Sequence, residues 1–188
     1  MVVNKKKSVK SSVDFAVVTN TKPDDIYKIL EKYRNEFTNP ENAKLLWEII
    51  ENSSIHHQGN WFYLIAFEPT NIFIPENGRK LIENKITEIA NKLINIEYFP
   101  DRYEVFMFEN ALQLILNKPI YFPNKGYIKR EVKIILNLCE KRKPFIYGVD
   151  LAAAYFLAKN NYKISKKLCY ILKNDIMLIG EIERCLNL

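Results

Sequence analysis

Apolar positions along this chain recur mainly at intervals of three and four, and that period predicts helices along most of its length. Thr21-Lys22-Pro23-Asp24-Asp25 supplies a capping hydroxyl, an early proline and two carboxylates, the signature of a helix start. Ile26, Ile29, Leu30 and Tyr33 follow on one face, so a helix is expected over about 23–37. After Pro40, Leu45, Leu46, Ile49 and Ile50 form a second stripe, with Glu48 and Glu51 opposite. The polar stretch 53–59, which holds His56, His57 and Gly59, is expected to break that helix. Pro75 introduces the clearest stripe, Leu81, Ile82, Ile86, Ile89, Ala90, Leu93 and Ile94. Val105, Phe108, Leu112, Ile115 and Leu116 predict a helix from about 102 to 117. Another stripe runs over Ile128, Val132, Ile135, Leu136 and Cys139 and stops at Lys143-Pro144. Residues 149–158 are apolar almost throughout, as in a central buried helix. Past a turn at 159–162, Ser165 is placed to cap a helix carrying Leu168, Ile171 and Leu172, and a last stripe spans Ile176 to Leu186.

Two segments do not declare their period. Val13 to Val18 is short and rich in valine, and reads as a strand or as an extended lead-in to the next helix. Trp61 to Phe67 is apolar on every side, where a buried strand and a buried helix look alike; the flanking helices favour helix.

Three helix starts share a pattern: Pro40-Glu-Asn-Ala43, Pro75-Glu-Asn-Gly78 and Pro123-Asn-Lys-Gly126. Each precedes an amphipathic segment and then a more apolar, aromatic-led one. That alternation is the signature of helical hairpins that bury their faces against their neighbours. The expected fold is therefore mainly α, with about seven or eight helices in a bundle or a short stack of helical hairpins. A short N-terminal strand is the alternative at 13–18. Residues 1–12 read as a flexible basic tail, and 13–188 as a single α-helical domain with a candidate sub-boundary near 70–75.

Composition narrows the class. The chain has 188 residues, 48% of them apolar and 27% charged, which excludes disorder throughout. Cys139, Cys169 and Cys185 are odd in number and lie among apolar neighbours, so they read as reduced core thiols and not as a disulfide framework. No window reaches the ~18 apolar residues a membrane span requires. No apolar stretch follows the basic residues at the start, so no signal peptide is read, and an intracellular location is expected.

Charge changes the picture most. The formal net charge is +6, but it is unevenly placed. From Lys118 to Lys173 there are 13 basic residues against three acids, Glu131, Glu140 and Asp150, while the chain outside this segment and the basic N-terminus is acidic. The candidate binding residues are Lys125, Lys129, Arg130, Lys133, Lys141, Arg142, Lys143, Lys166 and Lys167. Tyr121, Phe122, Tyr127, Phe145, Tyr147 and Tyr162 interleave with them. Basic residues with aromatic platforms suit an acidic protein surface or a phosphate backbone. The scarcity of arginine argues against sequence-specific base readout.

Catalytic patterns are sparse. The five glycines are scattered and form no phosphate loop. His56 and His57 are adjacent, which does not give the i, i+4 spacing of a helical metal pair. Asp24-Asp25 and Glu181/Glu183 read as helix caps and solvated faces, and Trp47 and Trp61 as packing residues. No metal and no cofactor are expected. The leading expectation is a non-enzymatic interaction or adaptor protein with a basic C-terminal face that binds an acidic protein partner. The alternative is a nucleic-acid-binding protein making mostly non-specific phosphate contacts. A third is an enzyme whose site assembles only in three dimensions, around His56, His57 and a carboxylate.

Overall fold

The computed structural model describes residues 13–95, 97–141 and 147–162. Eight α-helices lie among them, and no strand: α1 (Phe15–Asn20), α2 (Ile26–Tyr33), α3 (Pro40–Glu51), α4 (Ile55–Phe67), α5 (Glu76–Leu93), α6 (Arg102–Asn117), α7 (Gly126–Lys141) and α8 (Tyr147–Lys159). The fold is mainly α, as the apolar period implies. The expected tail 1–12 and the helices expected from Ser165 onward lie outside the described residues.

Each helix packs on the next but one. α1, α3, α5 and α7 form one row, and α2, α4, α6 and α8 form the other. Hairpin contacts of α3 with α4, α5 with α6 and α7 with α8 tie the rows together. The amphipathic segments after Pro40, Pro75 and Pro123 thus fall in one row, and the more apolar segments that follow them fall in the other. α4 and α6 make the most extensive contact in the molecule.

Three local expectations are corrected. Residues 13–18 do not form a strand. Asp14 accepts hydrogen bonds from the backbone N–H groups of Ala16 (3.1 Å) and Val17 (3.4 Å) and so caps α1, overriding the extended preference of the valines. The stretch 53–59 is mostly helix, because Ser54 caps α4 through the His57 N–H and the break shrinks to 52–54. The helix expected over 23–37 is shorter. A 3-10 turn at Pro23–Asp25 leads into α2, and a second one at Glu36–Thr38 follows it. Trp61 to Phe67 is helical within α4.

The core is aromatic at its centre. Trp47, Phe37, Phe62 and Phe108 are fully buried and Trp61 nearly so. Trp47 stacks on Phe62 (centroids 6.0 Å apart, 29° between planes), and Phe37 meets Trp61 edge-on at 6.5 Å. The Trp47 indole N–H donates to the Phe73 carbonyl at 3.3 Å, and the Phe73 N–H donates to the Phe37 carbonyl at 3.1 Å. The link between α4 and α5 is therefore stitched into the core, with Ile72 and Ile74 buried on it.

Glu104 is the polar joint between α5 and α6. It is 9% exposed and closes a capping box with Asp101. Lys92 of α5 donates to it at 2.7 Å, the Asp101 N–H at 3.0 Å, and the Tyr98 hydroxyl donates as well. Burial pushes its carboxyl up, but these donors together hold it below the usual 4.5. Burial and the Glu104 bond push the Tyr98 hydroxyl up to about 12.

Two predictions follow from these contacts. A Cβ on Gly78 of α5 would stand 2.5–2.9 Å from the Trp47 indole, which has nowhere to go. Gly78→Ala should lower stability in urea by about 1–3 kcal/mol, the cost of overpacking. A gain of the ~1 kcal/mol that alanine brings to an open helix position would disprove the close packing. For Glu104, a lowered folded pKa means stabilisation that is full above pH 4.5 and is lost as pH falls through the folded value. Glu104→Gln should cost about 1–2 kcal/mol at pH 7. The gap from wild type should close below pH 4.5; a gap that is constant with pH would show that the charge is not what matters.

Candidate interaction surface

The basic cluster is built on α7. Lys125, Lys129 and Lys133 are spaced i, i+4, i+8, so one turn of helix separates each from the next along a single stripe. Lys125 opens the helix, its carbonyl accepting from the Lys129 N–H at 2.9 Å, while the Asn124 side chain accepts from the Gly126 N–H at 3.2 Å. A lysine here faces the positive end of the helix dipole, and the first turn of α7 holds no acid to offset it. Burial lowers the Lys125 pKa, and repulsion from Lys129 lowers it further.

Tyr162 reaches this stripe from the end of α8. Asn161 is left-handed (φ 59°), the Tyr162 N–H donates to the Leu157 carbonyl at 2.9 Å, and the Asn161 N–H donates to the Ala158 carbonyl at 3.0 Å. That is a Schellman stop, which turns the chain back over α7. The Lys129 and Lys133 ammoniums then lie 4.8 and 4.4 Å from the Tyr162 ring centroid. Among the described residues neither lysine makes an ion pair. Arg130 sits one strip over, 5.2 Å from the centroid of Tyr127 and 3.5 Å from a Glu131 carboxylate oxygen. The Tyr127 hydroxyl shares a 2.9 Å hydrogen bond with Thr87 of α5, which fixes this side of α7.

Two of the three acids in the basic segment are turned inward: Glu131 is 8% exposed and Asp150 0%. Among the described side chains of this segment, the exposed charges are therefore all basic. Lys118 does not join the α7 cluster. Its ammonium donates to the Glu68 carbonyl at 2.7 Å, and burial lowers its pKa. Tyr121 packs edge-on against Phe73, and Phe122 is buried, so neither offers a platform.

Of the candidate binding residues, Lys129 and Lys133 converge on Tyr162, Lys125 continues their stripe one turn earlier, and Arg130 adjoins them. Lys141 ends α7, but its side chain lies outside the description, as do Arg142, Lys143, Lys166 and Lys167 altogether. The aromatic strip of α4 and α6 was not foreseen. Tyr63 and Phe67 are exposed, with ring centroids 5.1 Å apart, and Tyr63 lies 6.5 Å from Phe106. Their i, i+4 spacing was hidden in an all-apolar run.

The histidines hold structure. His57 Nε2 donates to the Thr21 carbonyl at 2.7 Å, which leaves Nδ1 to accept from the Ser54 hydroxyl at 3.1 Å. That arrangement anchors the start of α4 to the chain ahead of α2. His56 packs on Tyr103, centroids 4.5 Å apart. Among the described residues no cluster of histidine, cysteine and carboxylates has the makings of a metal site, and no helix is long and apolar enough to cross a membrane.

Comparison with known proteins adds no relative: no family model, curated protein or solved structure matches the chain significantly.

Asn161 decides whether Tyr162 meets the lysines. Asn161→Gly should leave stability within about 0.5 kcal/mol of wild type, because glycine also accepts the left-handed conformation. Asn161→Val should cost at least about 1–2 kcal/mol, because a β-branched residue does not. Equal melting temperatures for the two variants would argue against the Schellman stop.

Proposed function

We propose that this chain is a non-enzymatic interaction module whose α7 face binds an acidic segment of a protein partner. The observation that carries the reading is the Lys125, Lys129 and Lys133 stripe, with Lys129 and Lys133 on the Tyr162 ring, left without carboxylate partners among the described residues while neighbouring acids are buried. Lysines held at one-turn intervals match the spacing of carboxylates on a helical or extended acidic segment, and the field they create steers such a partner in. Tyr162 supplies a rigid aromatic anchor among them.

The nucleic-acid reading uses the same charges but asks something different of the aromatics. Base stacking needs an open ring face. The Tyr162 ring has two ammoniums within 5 Å of its centroid, and Tyr127 is attended by Arg130. The geometry favours carboxylates meeting ammoniums over bases meeting rings.

A labelled 12-residue peptide rich in Asp and Glu, and a 20-nucleotide single strand, separate the readings by fluorescence anisotropy at ~50 mM salt. The peptide should bind, and the Lys129→Glu/Lys133→Glu double reversal should weaken it about tenfold or more, because each reversal removes an attraction and adds a repulsion. Preferential binding of the oligonucleotide, lost in the same variant, would transfer the face to phosphate recognition. Peptide binding indifferent to both lysines would remove α7 from the proposal.

A further inference from the structure

The row formed by α1, α3, α5 and α7 is short at its first position. α3, α5 and α7 have 12, 18 and 16 residues, whereas α1 has six. At 1.5 Å per residue, α1 covers about 9 Å beside an α3 about 18 Å long. A cleft of about 570 Å³ lies between the two helices, with Phe15, Leu45 and Ile49 as its apolar floor and Glu48 on its edge. Leu45 is 44% exposed, although it belongs to the apolar stripe of α3. A leucine this open beside Phe15 of α1 leaves apolar surface for which the described chain supplies no cover.

The charges around the cleft have one sign in excess. α3 carries Glu41, Glu48 and Glu51 against Lys44. Glu48 joins the cleft to a second depression that runs past Glu51 to Glu76. Glu48 and Glu51 are exposed, and neither makes an ion pair among the described residues. Glu76, by contrast, is engaged by Lys80 at 2.7 Å.

We propose that this cleft docks an amphipathic helix of a partner protein, one that buries an apolar stripe on Leu45, Ile49 and Phe15 and brings Lys or Arg along the flank that meets Glu48 and Glu51. The space is the remainder of a helix position in the row, so a helix continues the packing that the later pairs already use. The apolar floor needs residues at i, i+3, i+4 and i+7, the helix-in-groove mode of recognition. The unpaired carboxylates repel an acidic or phosphorylated segment and select a basic one. This site is separate from α7 and has the opposite charge, so it stands whatever the α7 face binds.

The test uses the full chain and two labelled 14-residue helical peptides that share a leucine stripe, one flanked by lysines and one by glutamates. The lysine peptide should bind saturably, and the glutamate peptide at least tenfold more weakly. Leu45→Asp, and independently Glu48→Lys/Glu51→Lys, should each weaken the lysine peptide at least tenfold. All three are surface positions, and circular dichroism checks that the variants are folded. Lys129→Glu/Lys133→Glu should leave the affinity unchanged, which separates this site from the α7 reading. Equal binding of the two peptides, or wild-type affinity in both cleft variants, would overturn the proposal. Binding seen only after residues 2–12 are removed would also overturn it, by assigning the cleft to the chain's own N-terminal segment. Absence of binding together with self-association abolished by Leu45→Asp would assign it instead to a second copy.

Discussion

Gly59 lets α4 approach α6 until the Phe106 ring and the Met107 backbone lie 2.8–3.3 Å from where a Cβ would be. This contact, the most extensive in the molecule, holds the second row together. α4 also touches α2 and α3, so most of its sides are used in packing, and its sequence has almost no polar face. Because α4 is fixed on α6, Trp61 and Phe62 come to lie against Phe37 and Trp47, and these aromatic pairs add about 0.5–1.5 kcal/mol each beyond their burial. α3, α5 and α2 then take their places around that centre. α6 passes the constraint on to α8, and α8 ends in the stop that delivers Tyr162 to α7. The candidate interaction surface is thus a distant consequence of a glycine.

Charge is sorted by the same packing. Asp150 is fully buried in the first turn of α8, where the helix dipole favours an anion. Glu131 lies at the buried side of α7, with Arg130 reaching round to it at 3.5 Å. On α5 and α6 three of the acids are balanced by neighbours: Glu88 and Glu104 share Lys92, and Glu76 holds Lys80. α7 is treated differently. Its stripe lysines meet a tyrosine and one another.

Helix period was legible wherever a helix has one wet and one dry face. α5, α6 and α7 fall where their stripes place them, because Ile82, Ile86 and Ile89, or Val132, Ile135 and Leu136, are in fact the buried residues. The alternation of amphipathic and apolar segments after Pro40, Pro75 and Pro123 pointed to helical hairpins, and the two rows they form come from the structure. What period could not carry was decided by single hydrogen bonds. One Asp14 carboxylate turns a valine-rich strand candidate into α1, and one Ser54 hydroxyl moves the start of α4 back over two histidines and a glycine. Gly59 reads as a breaker along the chain and as a contact across it, since a missing side chain costs a helix about 1 kcal/mol but lets a neighbour close in. For the candidate site, the spacing of Lys125, Lys129 and Lys133 was visible in the sequence. The partnership with Tyr162 was not, because it depends on a left-handed Asn161 some thirty residues away.

The α7 cluster also has an energetic logic that bears on binding. Stripe lysines at the start of a helix, where repulsion from Lys129 adds to the burial that lowers the Lys125 pKa, are less stable than the same lysines would be beside glutamates. The cation–π contacts with Tyr162 recover part of that, about 0.5–1 kcal/mol each at an exposed site. They do so without supplying the negative charge that would satisfy the ammoniums. A carboxylate of the proposed acidic segment would meet donors already positioned by helix and ring, and would relieve repulsion that the free protein carries. The lack of a carboxylate partner among the described residues separates this stripe from Lys80, Lys85 and Lys92 on α5, and it is why three charges on one helix carry more weight here than the net charge of the chain.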